Sequence, residues 1–208
     1  MSPYATTETS APRARPLSGL AKPIRLEWVR EFPQPLQEEV LALMNAVLAR
    51  ETTIGFAGPL TYNEGMRWMA GTARAVANGD KHLLLFRDTD DKVVGHVLMT
   101  PNALPNCRHI GEISRTFVHP DYRGVSIVRM GLRSVLDRAD QIGLEVIQLD
   151  VRDGTRIAKL WQALGFQVVG KMEDYARVNG ESFPGLFMYQ HVKVLRQRLE
   201  RTADDTLS

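Results

Sequence analysis

The sequence has little of what marks specialised protein classes. It has a single cysteine, Cys107, so no internal disulfide can form, and a reducing cytoplasm is the expected compartment. No apolar run approaches the roughly 20 residues that cross a bilayer. Lysine and arginine number 26 against 24 acidic residues, a net charge of +2. That field is too weak to argue for nucleic acid or a membrane surface as partner. His96 and His119 have no companions at metal-ligand spacing, so no metal is expected. No internal repeat is visible, which argues against solenoids and propellers.

What remains is a chain of 208 residues, enough for one domain with tails. The first 22 residues are rich in Ser, Thr, Ala, Pro and Arg, without the apolar run of a secretory signal. They read as a disordered tail. The expected domain spans residues 23–193, and residues 194–208 read as a polar C-terminal tail.

Within the domain, Ile24 to Val29 alternates as a strand does. A helix is expected from Leu36 to Arg50, with Leu36, Val40, Leu43 and Val47 on one face. The stretch Thr52–Pro59 is punctuated by Gly and Pro and reads as a loop. Thr61 with Glu64 three residues on forms a capping-box pattern for a second helix, which carries Met66, Met69, Ala73 and Val76 and stops at Asn78-Gly79. His82–Phe86 and Val93–Thr100 read as a hairpin across Asp88–Asp91. Val146–Leu149 is a short buried strand, and Ile157, Leu160, Trp161 and Leu164 mark another helix. Phe166–Met172 and Leu186–His191 read as a closing antiparallel pair, joined across Asn179-Gly180.

The middle of the chain is the most informative. Gly111–Val118 is a strand by composition, and Pro120 ends it. Asp121, Tyr122 and Gly124 form a loop. Val128, Leu132, Val135, Ala139 and Ile142 then mark one face of a helix. On alternation, Glu112, Ser114 and Thr116 share one face of the strand, with Ile113 and Phe117 on the other. A strand that runs through a tight loop into a helix presents unpaired N–H groups and the positive end of the helix dipole at one point. That combination binds anions, above all phosphate, and Arg123 adds a charge and planar donors there.

Val118-x-Pro120-x-x-Arg123-Gly124 followed by a helix resembles the acetyl-CoA-binding motif of the GNAT acyltransferases, Gln/Arg-x-x-Gly-x-Gly/Ala. Arg123 matches the pattern. Ser126 and Val128 stand where it has small glycine-type residues. A second stretch, Gly154 to Phe166, resembles the later segment Asn-x-x-Ala-x-x-Leu-Tyr-x-x-x-Gly-Phe, with Trp161 in the tyrosine position. The resemblance implies an α/β GNAT fold: a central splayed mixed sheet flanked by helices, in the order β-α-α-β-β-β-α-β-α-β-β. Parallel strands ending near Val118 and Leu149 would part to admit the thioester of acetyl-CoA. Phe117 and Val118 would bond the pantetheine arm through their main chain. Arg123, Gly124, Val125, Ser126, Ile127 and Val128 would surround the diphosphate. Ile54-Gly-Phe56 is similar to an element of the narrower tabtoxin-resistance branch, which favours a small amine over a protein as acceptor. Members of the family often pair, which leaves room for a homodimer.

Acetyl transfer to an amine needs the amine as a free base. With a pKa of about 10.4, such an amine is neutral only about once in 10³–10⁴ molecules at pH 7. A base must therefore remove a proton, and Glu112, on the polar face of the central strand, is the residue read for that role. The family's tyrosine position holds Trp161, whose indole cannot donate a proton, and Tyr175 is the nearest replacement as proton donor to the leaving thiolate, which can also leave unassisted. Both residues have structural readings as well: Glu112 as a partner of Arg115, and Tyr175 as a cover on the core edge. Asp150 reads either as a holder of the cationic amine or as a turn cap. Arg152, Arg156 and Lys159 read as contacts of the 3′-phosphate or as a solvated face. Cys107 reads as a bystander. Glu112-Ile-Ser114-Arg115 also resembles the Glu-x-x-Arg element of N-acyl amino acid synthases, which take longer acyl chains. A non-catalytic CoA-binding domain is the third reading. Loops such as Thr52–Pro59 and Ala176–Pro184 would shape the acceptor site.

Overall fold

The computed structural model describes residues 23–204. The expected N-terminal tail, residues 1–22, lies outside the described residues, as do residues 205–208. Seven strands form one mixed sheet in the order β1-β2-β3-β4-β5-β7-β6. Strand β1 (Arg25–Val29) leads to helices α1 (Gln34–Leu48) and α2 (Tyr62–Ala77). Strands β2 (His82–Arg87), β3 (Val93–Pro101) and β4 (Ile110–Val118) follow as an antiparallel meander. Helix α3 (Val125–Gln141) crosses over to β5 (Val146–Arg152), which lies parallel to β4. Helix α4 (Arg156–Ala163) precedes the hairpin of β6 (Gln167–Val178) and β7 (Glu181–His191), and α5 (Val192–Asp204) closes the described chain.

Local chemistry explains several of these boundaries. Pro35 stands in the first turn of α1, where its missing N–H removes no helical bond. The capping box of α2 is formed on both sides, Thr61 side chain to the Glu64 backbone and Glu64 side chain to the Thr61 backbone. The β6–β7 turn places Asn179 at φ 52° and Gly180 at φ 84°, the two positive values that a tight hairpin turn needs.

Each face of the sheet has its own core. On one face α1 and α2 bury Val40, Met44, Val47 and Met69 against Leu83, Leu85 and Leu98. On the other, α3, α4 and α5 bury Ile127, Leu136, Trp161 and Leu195 against Leu84, Phe86, Met99 and Ile147. Phe86 is pinched between two glycines. A Cβ on Gly95 of β3 or Gly131 of α3 would fall 2.5 Å from its ring, so α3 approaches the sheet closely.

Two expectations are corrected. Residues 194–204 are not a loose polar tail: α5 buries Val192, Leu195 and Leu199 completely or nearly so, and Arg196 bonds Asp137 of α3 at 2.9 Å. Its narrow apolar stripe is outnumbered by charged residues, which hides the helix in the composition. The expected face of α3 is present, with Leu132, Val135 and Ala139 buried and Val128 and Ile142 packed half-buried against the same core, and Ile127 and Leu136 widen it.

The second correction concerns β4. Its register with β3 slips by one residue between His96 and Leu98, and Arg115 takes φ 49°. The extra residue inverts the alternation beyond it. Phe117 therefore lies on the α1–α2 side, stacked on His96 with centroids 4.7 Å apart, while Ile113 and Val118 belong to the opposite core. Thr116 borders a small apolar cavity with Ile113 and Val118.

Candidate active site

Strands β4 and β5 pair at only three positions, Ile110 with Val146, Gly111 with Ile147 and Glu112 with Gln148. Beyond that rung β4 stays with β3, and β5 stays with β7 as far as Arg152 opposite Gly185. The two strands part, and a cleft of about 1490 Å³ opens between them, edged by Ile113–Val118 on one side and Leu149–Arg152 on the other. Among the described residues, this edge of β4 makes no ladder to β5, so its main chain is left to pair with something else.

At the mouth of the cleft stands the start of α3. Gly124 is its N-cap, no side chain caps it, and its first turn holds no acidic residue. The N–H groups of that turn thus lack intrahelical partners, and the dipole reinforces them. A Cβ on Gly124 would meet nothing within 4 Å, so the approach is open. Ser126 is exposed and Ile127 fully buried. Val128 packs half-buried against the α3-side core. Phe117 and Val118 line the cleft from β4.

Arg123 is more constrained than its motif position suggests. Its Nε donates to the Val118 carbonyl at 3.2 Å, and its two terminal nitrogens donate to Glu51 at 2.7 and 3.4 Å. From the far side of the split, Arg152 donates to the Thr52 carbonyl at 2.9 Å and lies over the Phe183 ring at 4.3 Å. Arg152 reads from the sequence as a phosphate contact or as part of a solvated face, and the structure shows its guanidinium engaged within the chain instead. The two arginines tether the loop after α1 from both edges of the cleft. Arg156 and Lys159, exposed on α4 at the cleft, make no ion pair among the described residues.

Inside the cleft, Glu112 occupies the last paired rung before the strands diverge. It is half-buried, and no hydrogen bond or ion pair engages it among the described residues. Burial, and secondarily the Asp150 charge, raise its pKa above the ordinary carboxylate value, while Lys81 and Arg115 oppose the shift. Asp150 of β5 accepts a hydrogen bond from the Tyr175 hydroxyl. Tyr175 reaches it because β6 is irregular between Met172 and Ala176, where four steps on β6 match two on β7. The ring then lies over Gly185, where a Cβ would come 2.2 Å from it, and packs edge-on against Phe187. Burial first, then the bond to Asp150, keep the phenol protonated well above its ordinary range. Glu112, Asp150 and Tyr175 thus line one cleft.

Trp161 is a core residue, packed edge-on against Phe166 at 5.3 Å. Cys107 is half-buried in a short turn, Pro105–Cys107. Among the described residues no cluster of His, Cys, Asp and Glu is placed to hold a metal, and no helix is long and apolar enough to cross a membrane. Sequence reasoning missed the roles of Glu51, Thr52 and His96. The first two act through contacts distant in sequence, and His96 showed only as a polar residue in an apolar strand.

Solved structures share this architecture. A candidate acetyltransferase from Acinetobacter baylyi ADP1 superposes with a TM-score of 0.69 at 17% identity, over 82% of this chain and 93% of its own. A candidate phosphinothricin N-acetyltransferase gives 0.67 at 18% identity, over 81% and 98%. A candidate acetyltransferase from Salmonella typhimurium, solved with its cofactor acetyl-CoA, gives 0.65 at 17% identity, over 81% and 94%. At such identities these likenesses speak for the fold alone. No curated protein sequence matches the chain. The model of the acetyltransferase (GNAT) family matches residues 42–166, a span that holds the parted strands, the uncapped helix and Glu112. With more than half of the sequence matched, the chain belongs to the acetyltransferase (GNAT) family.

Proposed function

We propose that the protein transfers an acetyl group from acetyl-CoA to the amine of a small molecule or amino-acid-like compound. The observation that carries this is the position of Glu112, an unpaired carboxylate at the point where β4 and β5 separate. The residues present fit the co-substrate. The open N-terminus of α3 and Arg123 suit a diphosphate, the free edge of β4 at Phe117 and Val118 suits an amide-bearing arm, and Arg156 and Lys159 suit a further phosphate.

Acetyl-CoA supplies the activated acyl carbon. Glu112, whose affinity for protons is raised by burial, takes one proton from the incoming ammonium so that nitrogen can attack. A nitrogen–carbon bond forms, the carbon–sulfur bond breaks, and the nitrogen gives up its second proton to solvent, which also returns a proton to Tyr175 and takes the one held by Glu112. The phenol of Tyr175 remains protonated for delivery to the departing sulfur, and Asp150 orients it. Main-chain N–H groups of the β4 edge bear on the carbonyl oxygen as it gains charge.

A small acceptor is favoured by the loop around Gly55, which Arg123 and Arg152 tie across the cleft and whose Phe56 packs edge-on against Trp68 at 5.9 Å. The similarity of Ile54-Gly-Phe56 to the tabtoxin-resistance branch points the same way. Thiol release from acetyl-CoA across a panel of amines tests the reading. Turnover that depends on a small amine is expected. Faster turnover of a decanoyl thioester would instead favour a longer-chain acyltransferase, and binding of acetyl-CoA without turnover of any amine would leave a non-catalytic CoA-binding domain.

A further inference from the structure

Arg115 differs from the two arginines that tether the loop after α1. Arg123 and Arg152 have their partners. The Arg115 guanidinium makes no hydrogen bond or ion pair among the described residues, and its Nε, like that of Arg152, is buried without a hydrogen bond. A cation set in a cleft without an ion pair gains from a ligand that supplies the anion. Its backbone is also strained, with φ 49° at the β4 bulge, in a region that non-glycine residues seldom occupy. Such strain persists where the surroundings enforce it, often at ligand sites.

The surroundings aim the side chain. A terminal nitrogen lies so close to Gly55 that a Cβ there would fall 2.7 Å from it, and the guanidinium sits 5.8 Å from the Phe56 ring centroid. It lines the same cleft as Glu112 and Asp150. Lys81, like Arg156 and Lys159, lines this cleft without an ion pair among the described residues. The acceptor side therefore presents carboxylates suited to an ammonium and an unpartnered guanidinium suited to a planar anion.

We infer that Arg115 binds a carboxylate on the acceptor, so that the acceptor is an amino acid or a close analogue rather than a simple amine. The inference rests on the transferase reading for its chemistry, but the binding it assigns stands separately. The guanidinium fork matches a carboxylate in two parallel hydrogen bonds.

The test uses paired acceptors: a series of α-amino acids, each beside the amine that lacks its carboxylate. Wild-type kcat/KM should favour the amino acid by roughly tenfold to a hundredfold. In Arg115→Gln that ratio should fall toward one, with Arg115→Lys between the two. A merely structural role would lower both members of each pair alike and leave the ratio unchanged. That result, or a wild-type enzyme that acetylates the plain amine equally well, overturns the assignment. Calorimetry with the same pairs on the CoA complex separates the two claims. Arg115-dependent binding of the amino acid without any turnover upholds the assignment and sinks the transferase reading. Equal or absent binding of both members sinks the assignment.

Discussion

The imidazole of His96 donates its Nδ1–H to the carbonyl of Arg115 across 2.8 Å. This bond joins a fully buried strand residue to the strained residue at the bulge of β4. Burial, with a smaller contribution from the Arg115 charge, pushes the His96 pKa down to about 4, against the opposing pull of that carbonyl. The unfolded chain, near 6.5, binds the proton more readily than the folded one. Stability is therefore fully present above pH 6.5 and declines as pH falls toward 4. At about 1.4 kcal/mol per pKa unit, the loss approaches about 3 kcal/mol. His96→Asn keeps a donor near Nδ1 and removes the titration, so its denaturation midpoint should vary less with pH in this window. Parallel pH dependences for the two proteins would contradict the assignment.

Glu112 has the opposite sign. Its folded pKa lies above the unfolded 4.5, so the folded state binds the proton more readily. As pH rises through that window, the ionising carboxylate reduces stability. Glu112→Gln should be at least as stable as wild type at neutral pH, and lose that relative advantage in acid. Its turnover should fall roughly 10²-fold or more, and the acid limb of the pH–rate profile should vanish. A variant that keeps that limb removes Glu112 from the reaction.

The pairing of Arg123 with Glu51 sets a competition, because a diphosphate must share the guanidinium with the carboxylate. Arg123→Ala should raise KM for acetyl-CoA about tenfold. Glu51→Gln should lower it severalfold at most, since the pair is partly exposed and screened. Both effects should shrink with added salt. A higher KM in Glu51→Gln would show that the carboxylate serves to position Arg123 rather than to compete for it.

Gly185 and Tyr175 form the fourth test. Any Cβ at Gly185 collides with the ring, so Gly185→Ala should displace Tyr175 from Asp150. Its kcat should fall by roughly 10- to 100-fold, and Tyr175→Phe should fall alike. A wild-type rate in Tyr175→Phe, measured across a viscosity series to exclude product release as the slow step, would leave the phenol a structural cover.

These tests fall where local reasoning stops. The capping box at Thr61 and Glu64 and the Asn179-Gly180 turn were legible, because each depends on residues a few positions apart. The parting of β4 and β5 was legible only through the family resemblance. The bulge at Arg115 carries neither glycine nor proline, so alternation misplaced Phe117. The Arg123–Glu51 pair joins residues 72 positions apart, and Asp150–Tyr175 depends on an irregular β6. Such contacts arise from tertiary packing and leave no short-range pattern.

The central claim is that the opening between β4 and β5 receives acetyl-CoA with its diphosphate at the start of α3. Equilibrium dialysis with labelled acetyl-CoA tests it most directly. The account predicts one equivalent bound per chain, displaced by free CoA and weakened by Arg123→Ala. No binding, or binding indifferent to both, would contradict it.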